Sequence, residues 1–255
     1  MTVALPILSA CGHETCILPT ALLSTHTGGF GKPVVVHLDQ ALMGMWQHWK
    51  ENGIVFDAIL VGYLGSAAAV ETAEQILSEM LAPGGIGIVD PAMADHGKLY
   101  SGFDENYAAA MERLCRKADI ILPNITEAAM FAGMEYRETL DEAYISRLLK
   151  KLAHPCVILT GVGYRAGETG AAVYSNGILE QYTHPRVEKN FHGTGDMFAA
   201  AFTGALMQEK SLKESVKIAA DFVCRAIENT CAAPAHWYGV KFETALPDLI
   251  RMLQK

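Results

Sequence analysis

The sequence predicts an α/β fold, a mostly parallel central sheet with helices on both faces, from two observations. Short apolar strands alternate with helical segments over most of the chain, as at 57–61, 84–89, 119–122 and 157–160. Polar residues gather where those strands end, at Tyr63, Asp90, Glu127 and Thr160, with Thr27 at the end of an earlier segment. In an open parallel sheet the strand ends share one crevice, so this pattern also predicts a single ligand site.

The chain's 255 residues, 51% of them hydrophobic, suffice for one α/β domain, and a single domain over 1–255 is expected. A net charge of −8 leaves no basic footprint for nucleic acid. Six cysteines without any C-x-x-C pair argue against a zinc site or disulfide framework and fit a reducing cytoplasm. No run approaches the ~18 apolar residues that suggest a membrane span.

Taken in order, residues 2–11 read as a short helix with Pro6 in its first turns, closed by Gly12. Residues 15–23 read as a strand, followed by the glycine-rich loop Ser24-Thr25-His26-Thr27-Gly28-Gly29. Residues 33–38 are apolar and β-branched, and Asp39 is placed to cap a helix through Lys50, in which Trp46 and Trp49 pack. The apolar run 57–61 enters the glycines of Gly62-Tyr63-Leu64-Gly65-Ser66, with a helix from 67 to 81. The strand 84–89 ends in Asp90-Pro91. A carboxylate straight after a buried strand is costly unless solvated, paired or coordinating, which marks Asp90 as a candidate for metal or phosphate chemistry.

A helix over 104–117 precedes the strand 119–122, which ends in Pro123-Asn124. Asn124 with Glu127 three positions later forms a capping-box pattern, as do Thr139 with Glu142 and Ser211 with Glu214. Gly161-Val162-Gly163 follows the strand 157–160 and superficially matches a dinucleotide fingerprint. The next residues form a β-hairpin pattern around Asn176-Gly177 where that fingerprint needs a helix. Gly31-Lys32 and Gly97-Lys98 lack the Ser or Thr of a Walker A sequence. A final amphipathic helix is expected over 242–253.

The stretch Phe191-His192-Gly193-Thr194-Gly195-Asp196 precedes the apolar helical run 197–207. Its glycines permit a tight turn, and a helix N-terminus presents free N–H groups and a positive dipole end suited to a phosphoryl group. Asp196 then has two readings, a helix cap or the base that takes a proton from an attacking hydroxyl.

Together these motifs resemble the ribokinase superfamily and, within it, the pyridoxal (pyridoxine, pyridoxamine) kinase family. The resemblance runs through Ser24 to Gly28, Gly62 to Ser66, Asp90-Pro91-Ala92-Met93, Pro123 to Glu127 and Gly193 to Asp196. It implies ATP and Mg2+, with room for a monovalent cation such as K+, and phosphorylation of a 5′-hydroxymethyl group. Asp196 would be the base and Gly193, Thr194 and Gly195 the anion hole. Asp90 and Glu127 would lie by the phosphates and the magnesium ion, Asn124 and Thr160 by the nucleotide, and Thr27, Gly28 and Tyr63 by the substrate ring. It also implies a homodimer and an opening strand and glycine loop, roughly 15–25 residues that this sequence does not show ahead of its first helix. Two alternatives stay open: a hydroxymethylpyrimidine kinase of thiamin synthesis, and a non-catalytic vitamer- or nucleotide-binding protein.

Overall fold

The computed structural model describes residues 2–26, 30–187, 191–233, 236 and 238–254. Its centre is a six-stranded sheet made of β3 (Phe56–Val61), β4 (Leu81–Val89), β7 (Ile120–Ile121), β8 (Cys156–Thr160), β9 (Glu168–Ser175) and β10 (Ile178–Pro185), numbered in chain order, with spatial order β10-β9-β8-β7-β4-β3. β3, β4, β7 and β8 run parallel, while β9 and β10 form the antiparallel hairpin expected around Asn176-Gly177. Two short ribbons complete the strands: β1 (Ala21–Leu23) with β2 (Val35–His37), and β5 (Ala94–Asp95) with β6 (Lys98–Leu99).

β7, β8 and the C-terminal end of β4 are buried on both faces, and their alternation divides the core in two. Val157 and Leu159 of β8 and Val89 of β4 face one cluster, made with α3 (Ala67–Glu79), α4 (Glu105–Cys115), α5 (Ile125–Phe131) and α6 (Glu142–Leu152). Ile158 and Ile88 face the other, made with α1 (Ala4–Ala10), α7 (Thr194–Leu206), α8 (Leu212–Cys231) and α9 (Leu246–Leu253). Such two-sided burial is what continuous apolar strands require. α1 is tied to α7 by Gln208 Nε2 donating to the Cys11 carbonyl at 2.8 Å and by a 2.8 Å contact between His13 Nε2 and the Gly204 carbonyl.

Several local expectations are corrected. Of the strand expected over 15–23, only Ala21–Leu23 is extended, and it pairs with β2 outside the central sheet. Asp39 is the first residue of α2 (Asp39–Glu51), where it accepts a hydrogen bond from Ser66 Oγ at 2.7 Å instead of capping its own helix. Asp141, and not Thr139, caps α6 by accepting from the Tyr144 N–H at 2.6 Å. The last expected helix is a 3-10 turn, Phe242–Ala245, followed by α9. The capping boxes at Asn124/Glu127 and Ser211/Glu214 both form. All six cysteines are free, and no helix among the described residues is long and apolar enough to cross a membrane.

Among the described residues the sheet ends at β3, which pairs there with β4 alone. The Val61 carbonyl accepts from Asp90 N–H at 2.8 Å, so by parallel alternation the backbone groups of Leu60 turn the other way, towards the cleft. An edge without a neighbour loses protection first. We expect the Leu60 amide to exchange with deuterium much faster than that of Ile158, whose strand lies between β7 and β9. Equal protection in an exchange experiment on the free protein would show that this edge is covered.

Candidate active site

Four parallel strands deliver the polar residues to one end of the sheet. Tyr63 follows β3, Asp90 follows β4, Asn124 and Glu127 follow β7, and Thr160 ends β8. The glycine turn before α7 closes over the same space, and all these residues line one continuous cavity of about 3470 Å³. This exceeds the ~300–1,000 Å³ of an ordinary small-molecule pocket, as expected of a cleft that also runs along the open edge of β3. Thr27 and Gly28, expected by the substrate ring, lie outside the described residues.

The turn is built by Gly193, which takes φ +85°, a left-handed conformation that glycine adopts without the Cβ penalty. It starts α7 without any side-chain cap, and Asp196 sits inside the first turn. The capping alternative for Asp196 is therefore set aside: its carboxylate is free of helix duty and faces the cleft. Burial pushes its pKa above the ordinary aspartate value, and His26 pulls it part of the way back. His26 in turn stacks on His192 with ring centroids 4.5 Å apart, which joins the loop after β1 to the glycine turn.

Asp90 is buried close by, its Oδ2 3.9 Å from where a side chain at Gly195 would begin. Its pKa stands well above the ordinary value, first through burial, then through the charges of Glu127 and Asp196. Glu127 is only 1% exposed and accepts three backbone N–H groups, from Met93 at 2.9 Å, Ala94 at 3.3 Å and Asn124 at 2.9 Å. Burial nevertheless pushes it up to about 7 against those donors. The cap reading of Glu127 is thus correct locally, and the same residue adds negative charge to the cleft. Asn124 uses Oδ1 for the cap and donates Nδ2 to the Ala94 carbonyl at 2.8 Å. The Thr160 N–H donates to the Pro123 carbonyl at 2.9 Å, which locks the ends of β7 and β8 together.

Sequence reasoning missed other lining residues. Tyr100 stands among the carboxylates, its pKa raised by burial and then by Glu127, Asp95, Asp90 and Asp196. Val223 and Ile227 of α8 line the cleft. Their spacing of four along a helix reads as ordinary core, so no local signal distinguishes them. His192 had a signal, its place directly before the glycines.

Among the described residues no group of three or more His, Cys, Asp or Glu side chains is arranged to hold a metal ion by itself. Asp90 and Glu127 do offer hard oxygen donors, close enough that the Glu127 charge adds to the rise that burial imposes on the Asp90 pKa, and one or two carboxylates together with substrate phosphates are the usual setting for magnesium. They fit that ion on these terms.

The mostly parallel six-stranded sheet with helices on both faces is a ribokinase-like fold, the class to which this protein conforms. The chain belongs to the phosphomethylpyrimidine kinase family, which it matches over residues 8–240. It is 31% identical to the hydroxymethylpyrimidine/phosphomethylpyrimidine kinase of Bacillus subtilis (strain 168) over 179 residues, 68% of this chain and 64% of that protein, so the matched stretch spans under two thirds of this relative. The crystal structure of pyridoxal kinase from Lactobacillus plantarum superposes with TM-score 0.90 at 34% identity, covering 98% of this chain and 90% of the other. A Bacteroides thetaiotaomicron protein, provisionally assigned as a phosphomethylpyrimidine kinase and crystallised with pyridoxal, superposes with TM-score 0.90 at 31% identity, covering 98% of this chain and 90% of that one.

The raised Glu127 pKa has a consequence for stability. A carboxyl that binds its proton more tightly folded than unfolded contributes most at low pH, and that contribution is lost as pH rises from about 4.5 to about 7. The thermal midpoint, measured without divalent cations, is expected to decline across that window, with Glu127→Gln flattening the decline. Identical slopes for the two proteins would remove Glu127 as its source.

Proposed function

We propose that this protein transfers the γ-phosphoryl group of ATP to the hydroxymethyl group of a flat heteroaromatic ring, and that the ring is a B6 vitamer such as pyridoxal. The observation that carries this reading is the position of Asp196, uncapped in the first turn of α7 and lining one cavity with Asp90 and Glu127.

Each residue has a task that follows from its surroundings. Asp196 takes the proton of the attacking hydroxyl, and its raised pKa makes it a stronger base than an ordinary aspartate. The backbone N–H groups of the Gly193-Thr194-Gly195 turn point from a positive helix end and stabilise the oxygens of the transferred group. Asp90 and Glu127 would hold magnesium, which would supply positive charge to offset that of the phosphates, and Asn124 and Thr160 would shape the nucleotide end. Tyr63, 38% exposed at the cleft, offers an aromatic wall for the acceptor ring. Positioning and charge stabilisation account for most of what phosphoryl transfer needs from a protein.

The B6 reading draws support from the likeness to pyridoxal kinase and to the protein crystallised with pyridoxal. The second reading keeps the chemistry and changes the acceptor to hydroxymethylpyrimidine; the family match and the Bacillus relative favour it. Side-by-side turnover of the two acceptors separates them: better turnover of hydroxymethylpyrimidine would replace the first reading by the second. ATP binding without turnover of either would point to the binding-protein alternative.

Asp196→Asn tests the mechanism. It removes the base and its charge at nearly constant size, so stability should change by less than ~1 kcal/mol and turnover should fall by at least ~10²-fold, with ATP affinity retained. Near-normal turnover in the variant, or a loss that merely tracks unfolding, would refute the role given to Asp196.

A further inference from the structure

Three aromatic rings run in a line from the start of α4 to the cleft. Phe103 and Tyr107 stack with centroids 3.8 Å apart and planes 4° from parallel. Phe103 in turn meets Tyr63 at 5.6 Å with a 33° tilt. Tyr107 is buried, 4% exposed, while Tyr63 and Phe103 both line the cleft. The column is therefore anchored in the core at one end and open to a ligand at the other.

Its contacts also reach the loop that carries Tyr63. A side chain at Gly65, where φ is +82°, would begin 3.3 Å from the Tyr63 ring, so the loop folds closely around that ring. The Tyr107 hydroxyl has no partner within hydrogen-bonding geometry, yet the backbone of Gly65 and Leu64 lies near enough to counteract part of the rise that burial and Tyr63 impose on its pKa. Phe103 is held from its own side as well, its N–H donating to the Tyr100 carbonyl at 3.1 Å. Asp104, the next residue, caps α4 by accepting from Tyr107 N–H at 2.9 Å. The cap thus couples the helix start to the stack.

We infer that Phe103 is a positioning residue for the acceptor: stacked on Tyr107, it fixes the Tyr63 ring as one wall of the site and so sets affinity for a flat heteroaromatic ring. This rests on the acceptor reading above. A ring on a two-bond tether, 38% exposed, would otherwise sample several rotamers, and a ligand would have to order it on binding. Phe103 is remote in role from Asp90, Glu127 and Asp196, so its effect falls on acceptor binding and not on the transfer step.

The test combines steady-state kinetics with a measurement that needs no substrate. Phe103→Leu keeps an apolar side chain but removes the stack. It is expected to raise the acceptor KM by about 3- to 10-fold, the scale of one aromatic pair, with kcat and the ATP KM changed by less than about 2-fold. Phe103→Tyr, which preserves the ring, should restore the acceptor KM. In the free protein the Tyr63 ring resonances should move towards unstructured values in Phe103→Leu and stay dispersed in Phe103→Tyr. An unchanged acceptor KM, Tyr63 resonances indifferent to the loss of the stack, or a parallel fall of every kinetic parameter with thermal stability would each overturn the inference. If the resonances respond as expected while the native protein binds neither pyridoxal nor hydroxymethylpyrimidine, the positioning of Tyr63 stands and the acceptor reading is what fails.

Discussion

Crowding of negative charge at one end of the sheet is the constraint around which the molecule is built. Asp90 and Asp196 line one cleft with the buried Glu127, and desolvation raises all three pKa values, with the charges of Glu127 and Asp196 adding to the rise at Asp90. The lysines and arginines that form ion pairs among the described residues do so elsewhere, on the outer helices and hairpin, as at Lys117–Glu74 and Lys213–Glu180. The compensation comes from the backbone instead. α5 and α7 both begin at the cleft, and Glu127 alone receives three N–H groups. Helix starts supply partial positive charge that cannot move away, which offsets the carboxylates gathered in the cleft.

The two ends of the cleft are built differently. At the end proposed for the nucleotide, Asn124 and Thr160 form a parallel bridge just beyond β7 and at the end of β8, locked by backbone hydrogen bonds, so their geometry comes directly from the sheet. At the end proposed for the acceptor the sheet stops at β3 among the described residues, and the walls are loops, the two-stranded ribbon and a stack of aromatic rings. Ring stacking there does the work that a neighbouring strand would do further in. This division matches the comparisons, in which relatives of one fold differ in the acceptor named for them while sharing kinase chemistry.

Much of this was readable before any coordinates. The apolar strands ending in Asp90 and Thr160, the hairpin about Asn176-Gly177 and the two capping boxes all depend on residues a few positions apart. Local spacing was less reliable where two residues competed for one task. Thr139 and Asp141 both precede α6, and only the backbone path decides which side chain reaches the Tyr144 N–H. Residues 15–20 have strand composition but form no strand, the Thr20 carbonyl alone accepting a backbone bond beside β2, from Leu38 N–H at 2.9 Å, and composition cannot supply the missing pairing.

The sequence by itself determined the element types, the two-sided burial of the strands and the chemical character of the glycine turn, because periodicity, capping and turn preference act over a few residues. Only the tertiary structure decided that Asp196 is not a cap, that Glu127 is at once a cap and a buried charge, and that Phe103 and Tyr107 stand behind Tyr63. Those facts depend on strand order and helix packing, which bring together groups separated by tens of residues. Desolvation and charge repulsion arise only after that convergence, so no window of sequence contains them.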